Sequence, residues 1–172
     1  MTSSEALRAD DFRQAMRLVP TPVAIVTTTR EGVAVGLTVG SFAAVSMQPA
    51  MITFFVDNSS TTWPKMRKSP TFVVNILGHD NGPLCRAFSR QGDRFADVDW
   101  APSSTGDPVL SDASVSLQCR MHSTQQLGDH VQVVGEVTAA AVQRAALPLV
   151  YFRRDFLDLA HLVKTPVEKV RS

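Results

Sequence analysis

The sequence predicts a mainly β protein with marginal helices, folded as a closed antiparallel β-barrel. Three observations lead there. Residues 23–29 form a β-branched run, Val-Ala-Ile-Val-Thr-Thr-Thr. Residues 116–122 and 131–138 alternate apolar and polar positions on either side of a Gly128-Asp129 turn signal. The strand-like runs are short, separated by turns and flanked by helical patterns only at the margins, which fits an antiparallel barrel.

In chain order, Asp10 to Leu18 reads as a helix. Phe12, Ala15, Met16 and Val19 share a face, Asp10 or Asp11 can cap the start, and Pro20 stops it. The first strand follows, and Arg30-Glu31-Gly32 turns the chain into a second over Val33–Val39. An apolar strand pattern resumes after Ser41, and Met51–Val56 is a further strand. Ser59 to Lys68 opens with hydroxyl residues suited to a short helix, which Pro70 ends; Thr71–Leu77 is again a strand. Asn81 to Arg90 reads as helical through Leu84, Ala87 and Phe88. Gly92 to Gly106 is irregular and polar, a surface excursion around Trp100 and Pro102. In the paired strands Leu117, Cys119 and Met121 face one way, as do Val131, Val133, Gly135 and Val137.

Length and composition bound the function. A chain of 172 residues suits one domain over 1–172, with a core of roughly 12–159 and a tail over 160–172. The balance of 17 basic and 16 acidic residues, with no basic run, argues against nucleic-acid binding. No apolar run reaches the roughly 18 residues of a membrane span, and no signal peptide is visible, so a cytoplasmic location is expected. Cys85 and Cys119 lack zinc-type spacing and are expected to be free, buried thiols; the four histidines are scattered and suggest no metal. Neither a dinucleotide-binding glycine fingerprint, nor a phosphate-binding Gly-Lys-Ser/Thr loop, nor a Gly-x-Ser-x-Gly elbow is present. An enzyme of this composition borrows its reactive group from a cofactor.

Gly36-Leu37-Thr38-Val39-Gly40-Ser41-Phe42 is the segment best suited to bring backbone N–H groups and two hydroxyls to a flat or anionic ligand. Gly32, Gly36 and Gly40 recur every four residues, the mark of a bulge or a close backbone approach. The alternative is a tight β-corner whose Thr38 and Ser41 satisfy only local backbone groups. Asp57-Asn58-Ser59-Ser60-Thr61-Thr62-Trp63, with four hydroxyls in sequence, is either a helix cap or a cradle for the oxygens of an anionic group, with Lys65 as counter-charge. From the residues alone, Phe88 reads as a core residue of its helix, Arg94 as a structural ion pair and His130 as an exposed turn residue.

Together these segments resemble the flavin reductase family, flavin:NAD(P)H oxidoreductases built on an FMN-binding split barrel. The resemblance rests on Thr21–Thr27, Gly36–Phe42, Phe72–Leu77, Asp93-Arg94-Phe95 with Trp100, Gly128-Asp129-His130 with Gly135-Glu136-Val137, and Pro148–Tyr151, in the family's order. The chain departs from the family pattern at Pro22 and Gly40, and Arg154 and Phe156 replace a glycine and a tyrosine.

The resemblance implies a flavin reductase. Hydride passes directly from C4 of NADH or NADPH to N5 of FMN or FAD, and reduced flavin leaves for a separate monooxygenase. It implies cofactor contacts at Thr38, Val39, Gly40, Ser41, Phe42, Asp57, Asn58, Ser59, Ser60, Lys65, Phe88, Arg94, Tyr151 and Arg153, with His130 orienting the nicotinamide. It implies a homodimer, for which Phe152, Phe156, Leu159 and Leu162 are candidate apolar contacts. The alternative is a non-catalytic flavin-binding or redox-sensing module on the same barrel.

Overall fold

The computed structural model describes residues 7–90, 92–157 and 159. Leu162 and the rest of the expected tail lie outside the described residues. The β-branched run forms strand β2 (Ala24–Arg30), paired with β3 (Val33–Val39) on one side and β6 (Thr71–Ile76) on the other. β2 is buried on both faces. Ala24 and Val26 enter one apolar cluster with Leu37, Phe54, Phe72 and Val133, while Val23 and Ile25 enter a second with Leu77, Phe88, Leu110 and Leu149. Two-sided burial explains why the run is continuously apolar and β-branched rather than alternating.

β2 and β3 belong to a seven-stranded antiparallel sheet. β4 (Ala43–Met47) and β5 (Ala50–Asp57) lie at its other end, and β6 joins the long hairpin of β9 (Val115–Leu127) and β10 (His130–Val142) in the middle. The order is β3-β2-β6-β9-β10-β5-β4. The hairpin turns at Gly128, whose φ of 58° suits a residue without a side chain.

The expected closed barrel is not formed: no hydrogen-bonded ladder joins β3 to the β5 end of the sheet. The reason is local. β4 stops pairing with β5 at Ala43–Thr53, and the next available backbone groups, on Phe55, are taken by the Ser41 hydroxyl. Leu37 and Val39 still share a core with Phe54 and Val56, so the sheet curls around one core and leaves a seam between β3 and β5.

Three marginal elements cover the second cluster. α3 (Gly82–Phe88) packs Cys85 and Phe88 onto it. Phe95 meets Phe88 edge to face at 4.9 Å and Trp100 at 6.1 Å, which folds the 92–106 excursion over α3. That excursion carries β7 (Trp100–Pro102), paired with β8 (Pro108–Leu110). Buried Asp107 accepts hydrogen bonds from the Thr28 hydroxyl at 3.0 Å and the Thr29 amide at 2.9 Å. Fully buried Asn75 donates to Ile25 O and Thr27 Oγ1 and accepts from the Leu110 amide, tying β6, β2 and β8 together. A small sheet of β1 (Thr21–Pro22), β11 (Val150–Phe152) and β12 (Asp155–Leu157) closes this side.

Two helices differ from expectation. α1 (Ala9–Met16) forms, yet it buries none of its residues; Phe12, Met16, Leu18 and Val19 are all exposed. The expected Ser59–Lys68 helix shrinks to α2 (Trp63–Met66), because residues 57–60 bond to neighbouring groups instead of starting a helix.

Candidate functional site

β3 is an edge strand, and the site grows from its open edge. The Gly36 carbonyl faces away from β2 and accepts a 2.7 Å hydrogen bond from Arg94. Antiparallel alternation then directs the Thr38 backbone N–H and C=O to the same open edge. Gly36 is glycine for a packing reason: a Cβ there would lie 2.6 Å from the Phe88 ring. Phe88, 1% exposed, thus supports β3 from within the second core and does not present a face to the seam.

The seam is stapled at both ends. At one, the Phe55 amide donates to the Ser41 hydroxyl at 2.8 Å, and that hydroxyl lies 3.3 Å from Phe55 O. At the other, Arg94 Nη1 donates to both Gly36 O and Thr62 Oγ1, the latter at 3.0 Å. Ser41 and Arg94 are therefore engaged with protein groups, and among the described residues Arg94 makes hydrogen bonds rather than an ion pair. Val39 is buried and Phe42 packs on the first core, so each faces the seam through its backbone.

Residues expected to act together fall into three neighbouring groups. The first is a cleft of about 560 Å³ lined by Thr38, Val39, Gly40, Arg86, Tyr151 and Arg154, among others. The Thr38 hydroxyl is 3.5 Å from Cys85 O, too long to occupy it fully. Arg153 lies on the α1 side, beside Asp11, Gln14 and Arg17, with its guanidinium 5.2 Å from the Phe152 ring centroid.

The second group is the loop after β5 with the β9–β10 turn. His130 stands opposite Asp57 in the β10–β5 register, and the Asn58 amide donates to Asp129 O at 3.0 Å. His130 Nδ1 is 2.7 Å from Asp129 Oδ1, and its side chain is 41% exposed. That contact holds the Asp129 carboxyl below its ordinary value, and hydrogen bonds from Ser59 do the same for Asp57. The Ser60 hydroxyl accepts from the amide of Trp63, the first residue of α2, at 3.2 Å. Thr61 and Thr62 line the larger cleft at the Arg94 end.

The third group is a larger cleft of about 950 Å³ at the Arg94 end, with Lys65, Lys68 and Arg30 against Glu31 and Asp93. Reading the sequence missed Arg30, Lys68, Arg86 and Arg154 as lining residues. Arg86 falls between the apolar positions that define α3, and nothing in helical spacing marks it; Arg154 was visible only as a departure from a family glycine. Cys85 and Cys119 are free and buried, as expected, and burial raises both thiols, Cys119 to about 12. Among the described residues no cluster could hold a metal, and no helix is long and apolar enough to cross a membrane.

This donor set suits a flat polar ring with an anionic tail: an open strand edge and a hydroxyl on one side, and at the far end a cleft where Lys65, Lys68, Arg30 and Arg94 outnumber Glu31 and Asp93. Residues 16–160 match the family described as "Flavin reductase like domain". The chain is 33% identical over 158 residues to "Flavin-dependent monooxygenase, reductase subunit HsaB" of Rhodococcus jostii, covering 91% of this chain and 81% of that protein. It is 34% identical over 144 residues to "Flavin reductase" of Pseudomonas putida, covering 83% and 85%. Among solved structures, a homologue of nitrilotriacetate monooxygenase component B from Mycobacterium thermoresistibile superposes with a TM-score of 0.85 at 30% identity, covering 95% of this chain and 94% of that one. Flavin reductase HpaC, solved with NADP+, gives a TM-score of 0.82 at 33% identity over 89% and 99%. With both the strand-edge site and these relatives in agreement, the chain belongs to the flavin reductase-like family.

Proposed function

We propose that this chain is an NAD(P)H:flavin oxidoreductase that reduces FMN or FAD at the β3 seam and releases reduced flavin to a partner monooxygenase. The open edge of β3 carries the reading. It turns the Thr38 backbone groups away from β2, beside a hydroxyl held only by a weak contact to Cys85, in a chain whose relatives are flavin reductases and monooxygenase reductase subunits.

When bound, flavin supplies the ring that accepts hydride from the nicotinamide. The protein's own residues bind and orient. The Thr38 N–H and hydroxyl, with the Val39–Gly40 backbone, hold the polar edge of the ring and stabilise the negative charge it gains on reduction. Lys65, with the loop Asp57–Ser60, meets the phosphate tail. Ser41, Phe42, Phe88 and Arg94 act beneath the site: they fix the width of the seam. His130, oriented by Asp129, and Tyr151 position the nicotinamide. No residue here has to transfer a proton for the hydride step.

Among the described residues, α1 and the turn after it leave Phe12, Met16, Leu18 and Val19 exposed, a face that a second copy would bury in a homodimer.

The test is NADH and NADPH oxidation with added FMN or FAD, followed by transfer of the product across a membrane that retains protein. Catalytic, flavin-dependent oxidation with reduced flavin on the far side is expected. Flavin binding without oxidation would instead identify a non-catalytic flavin module.

A further inference from the structure

The hairpin between β11 and β12 holds two consecutive arginines in the left-handed region, Arg153 at φ 50° and Arg154 at φ 71°. A two-residue hairpin loop of this kind favours Gly, Asn or Asp. Glycine would sit there without strain, yet the chain keeps arginine, and strain of this sort concentrates at functional sites. Arg154 lines the cleft beside Thr38, Val39 and Gly40, together with Arg86 and Tyr151, and also borders the cleft on the α1 side that holds Asp11.

Arg86 is preorganised in the same cleft. Its guanidinium lies 5.6 Å from the Phe156 ring centroid. Its other neighbour is Gly82, where a Cβ would come within 3.6 Å of its nitrogens. Among the described residues neither Arg86 nor Arg154 has an acidic partner within ion-pair distance. Asp155 is the one carboxylate lining this cleft, and it accepts the Phe156 amide at 2.8 Å. Two guanidinium groups against one occupied carboxylate leave the cleft short of an anion. Planar guanidinium forks match phosphate oxygens better than any other side chain does.

We propose that Arg154 and Arg86 form a phosphate-binding pair for the reduced nicotinamide dinucleotide, and that Arg154 sets how tightly that dinucleotide is held. This rests on the reading that flavin is reduced at the β3 seam. The phosphate that the pair grips belongs to the hydride donor, because the lysines of the larger cleft already stand at the far end for the flavin's own phosphate. The phosphate could be the pyrophosphate common to both dinucleotides or the 2′-phosphate of NADPH.

The experiment compares wild type, Arg154→Gly and Arg154→Lys by steady-state oxidation of NADH and of NADPH with saturating flavin. Flavin affinity is measured alongside by fluorescence quenching. Glycine is at ease at this φ, so the Gly variant is expected to melt no lower than wild type. Its KM for the dinucleotide is expected to rise about tenfold, the loss of one charge-assisted contact, while kcat and flavin affinity stay within about twofold. Arg154→Lys recovers part of the loss. A rise for both dinucleotides identifies the pyrophosphate, and a rise for NADPH alone identifies the 2′-phosphate; either supports the pair. Unchanged KM for both dinucleotides, or an equal loss of flavin affinity, overturns it. A wild-type protein that oxidises neither dinucleotide would instead remove the underlying reading.

Discussion

Thr38 and Ser41 stand three residues apart, and their hydroxyls do different work. Ser41 bridges both backbone groups of Phe55 and closes one end of the seam. Ser41→Val leaves those groups without a partner, so it is expected to destabilise the fold by about 1–3 kcal/mol in urea denaturation. Thr38→Val breaks a 3.5 Å contact to Cys85 O and a contact with the Cys85 thiol, both weak, and should leave stability nearly intact. Its flavin affinity is expected to fall roughly threefold to tenfold, the worth of one net hydrogen bond. Equal affinity for wild type and a folded Thr38→Val would remove this hydroxyl from the flavin site. For His130→Ala, stopped-flow reduction of bound flavin by NADH is expected to slow by about tenfold, or about 1.4 kcal/mol, with flavin affinity spared. Wild-type kinetics would make His130 an exposed turn residue. The position of His130 was legible in sequence because Gly128-Asp129 marks a hairpin between two alternating strands. The double hydrogen bond of Arg94 was not legible, because it joins residues 58 and 32 positions away that only the curled sheet brings together.

At the scale of elements, strand patterns were read well where burial is one-sided or complete and poorly where it is absent. β9 and β10 run to 13 residues each, well beyond the alternating stretches, because β9 ends in an exposed polar run and β10 in an exposed run of alanines and a valine, neither of which alternates. The hydroxyl-rich start that suggested a longer α2 is spent on hydrogen bonds to the neighbouring turn and loop. A comparable tie anchors the chain after β10. Arg144 grips Asp80 through two 2.6 Å hydrogen bonds and also donates to Asp112 O at 3.0 Å. The Arg144 guanidinium holds the Asp80 carboxyl below its ordinary 3.8. A carboxyl lowered on folding stabilises the protein above its unfolded value, and the gain is lost as pH falls through the folded value. The melting temperature of wild type is therefore expected to exceed that of Asp80→Asn at neutral pH, with the gap closing below about pH 3.8. Both side chains are partly exposed, so the gap is modest. A gap independent of pH would show that the pair contributes through shape alone.

For the whole molecule, the sheet opens where a closed barrel was expected. Closure depends on whether two edges far apart in sequence meet, and Ser41 occupies the position where pairing would continue. The opening leaves an edge strand, which offers backbone groups that a closed barrel would consume; the proposed flavin site uses them. The apolar face of α1 is the other large-scale feature. Phe12, Ala15, Met16 and Val19 share a face, and among the described residues nothing covers it. Light scattering is expected to give twice the chain mass, and Phe12→Ser with Met16→Ser to shift it toward one chain; a wild-type monomer at every concentration would refute the dimer. The central claim, that flavin sits at the seam and is reduced there, is tested most directly by anaerobic mixing of the flavin-loaded protein with NADH or NADPH while flavin absorbance is followed. Rapid, saturable bleaching that is much faster than for free flavin is the expected result. A flavin that binds but bleaches no faster than it does in buffer would contradict the account.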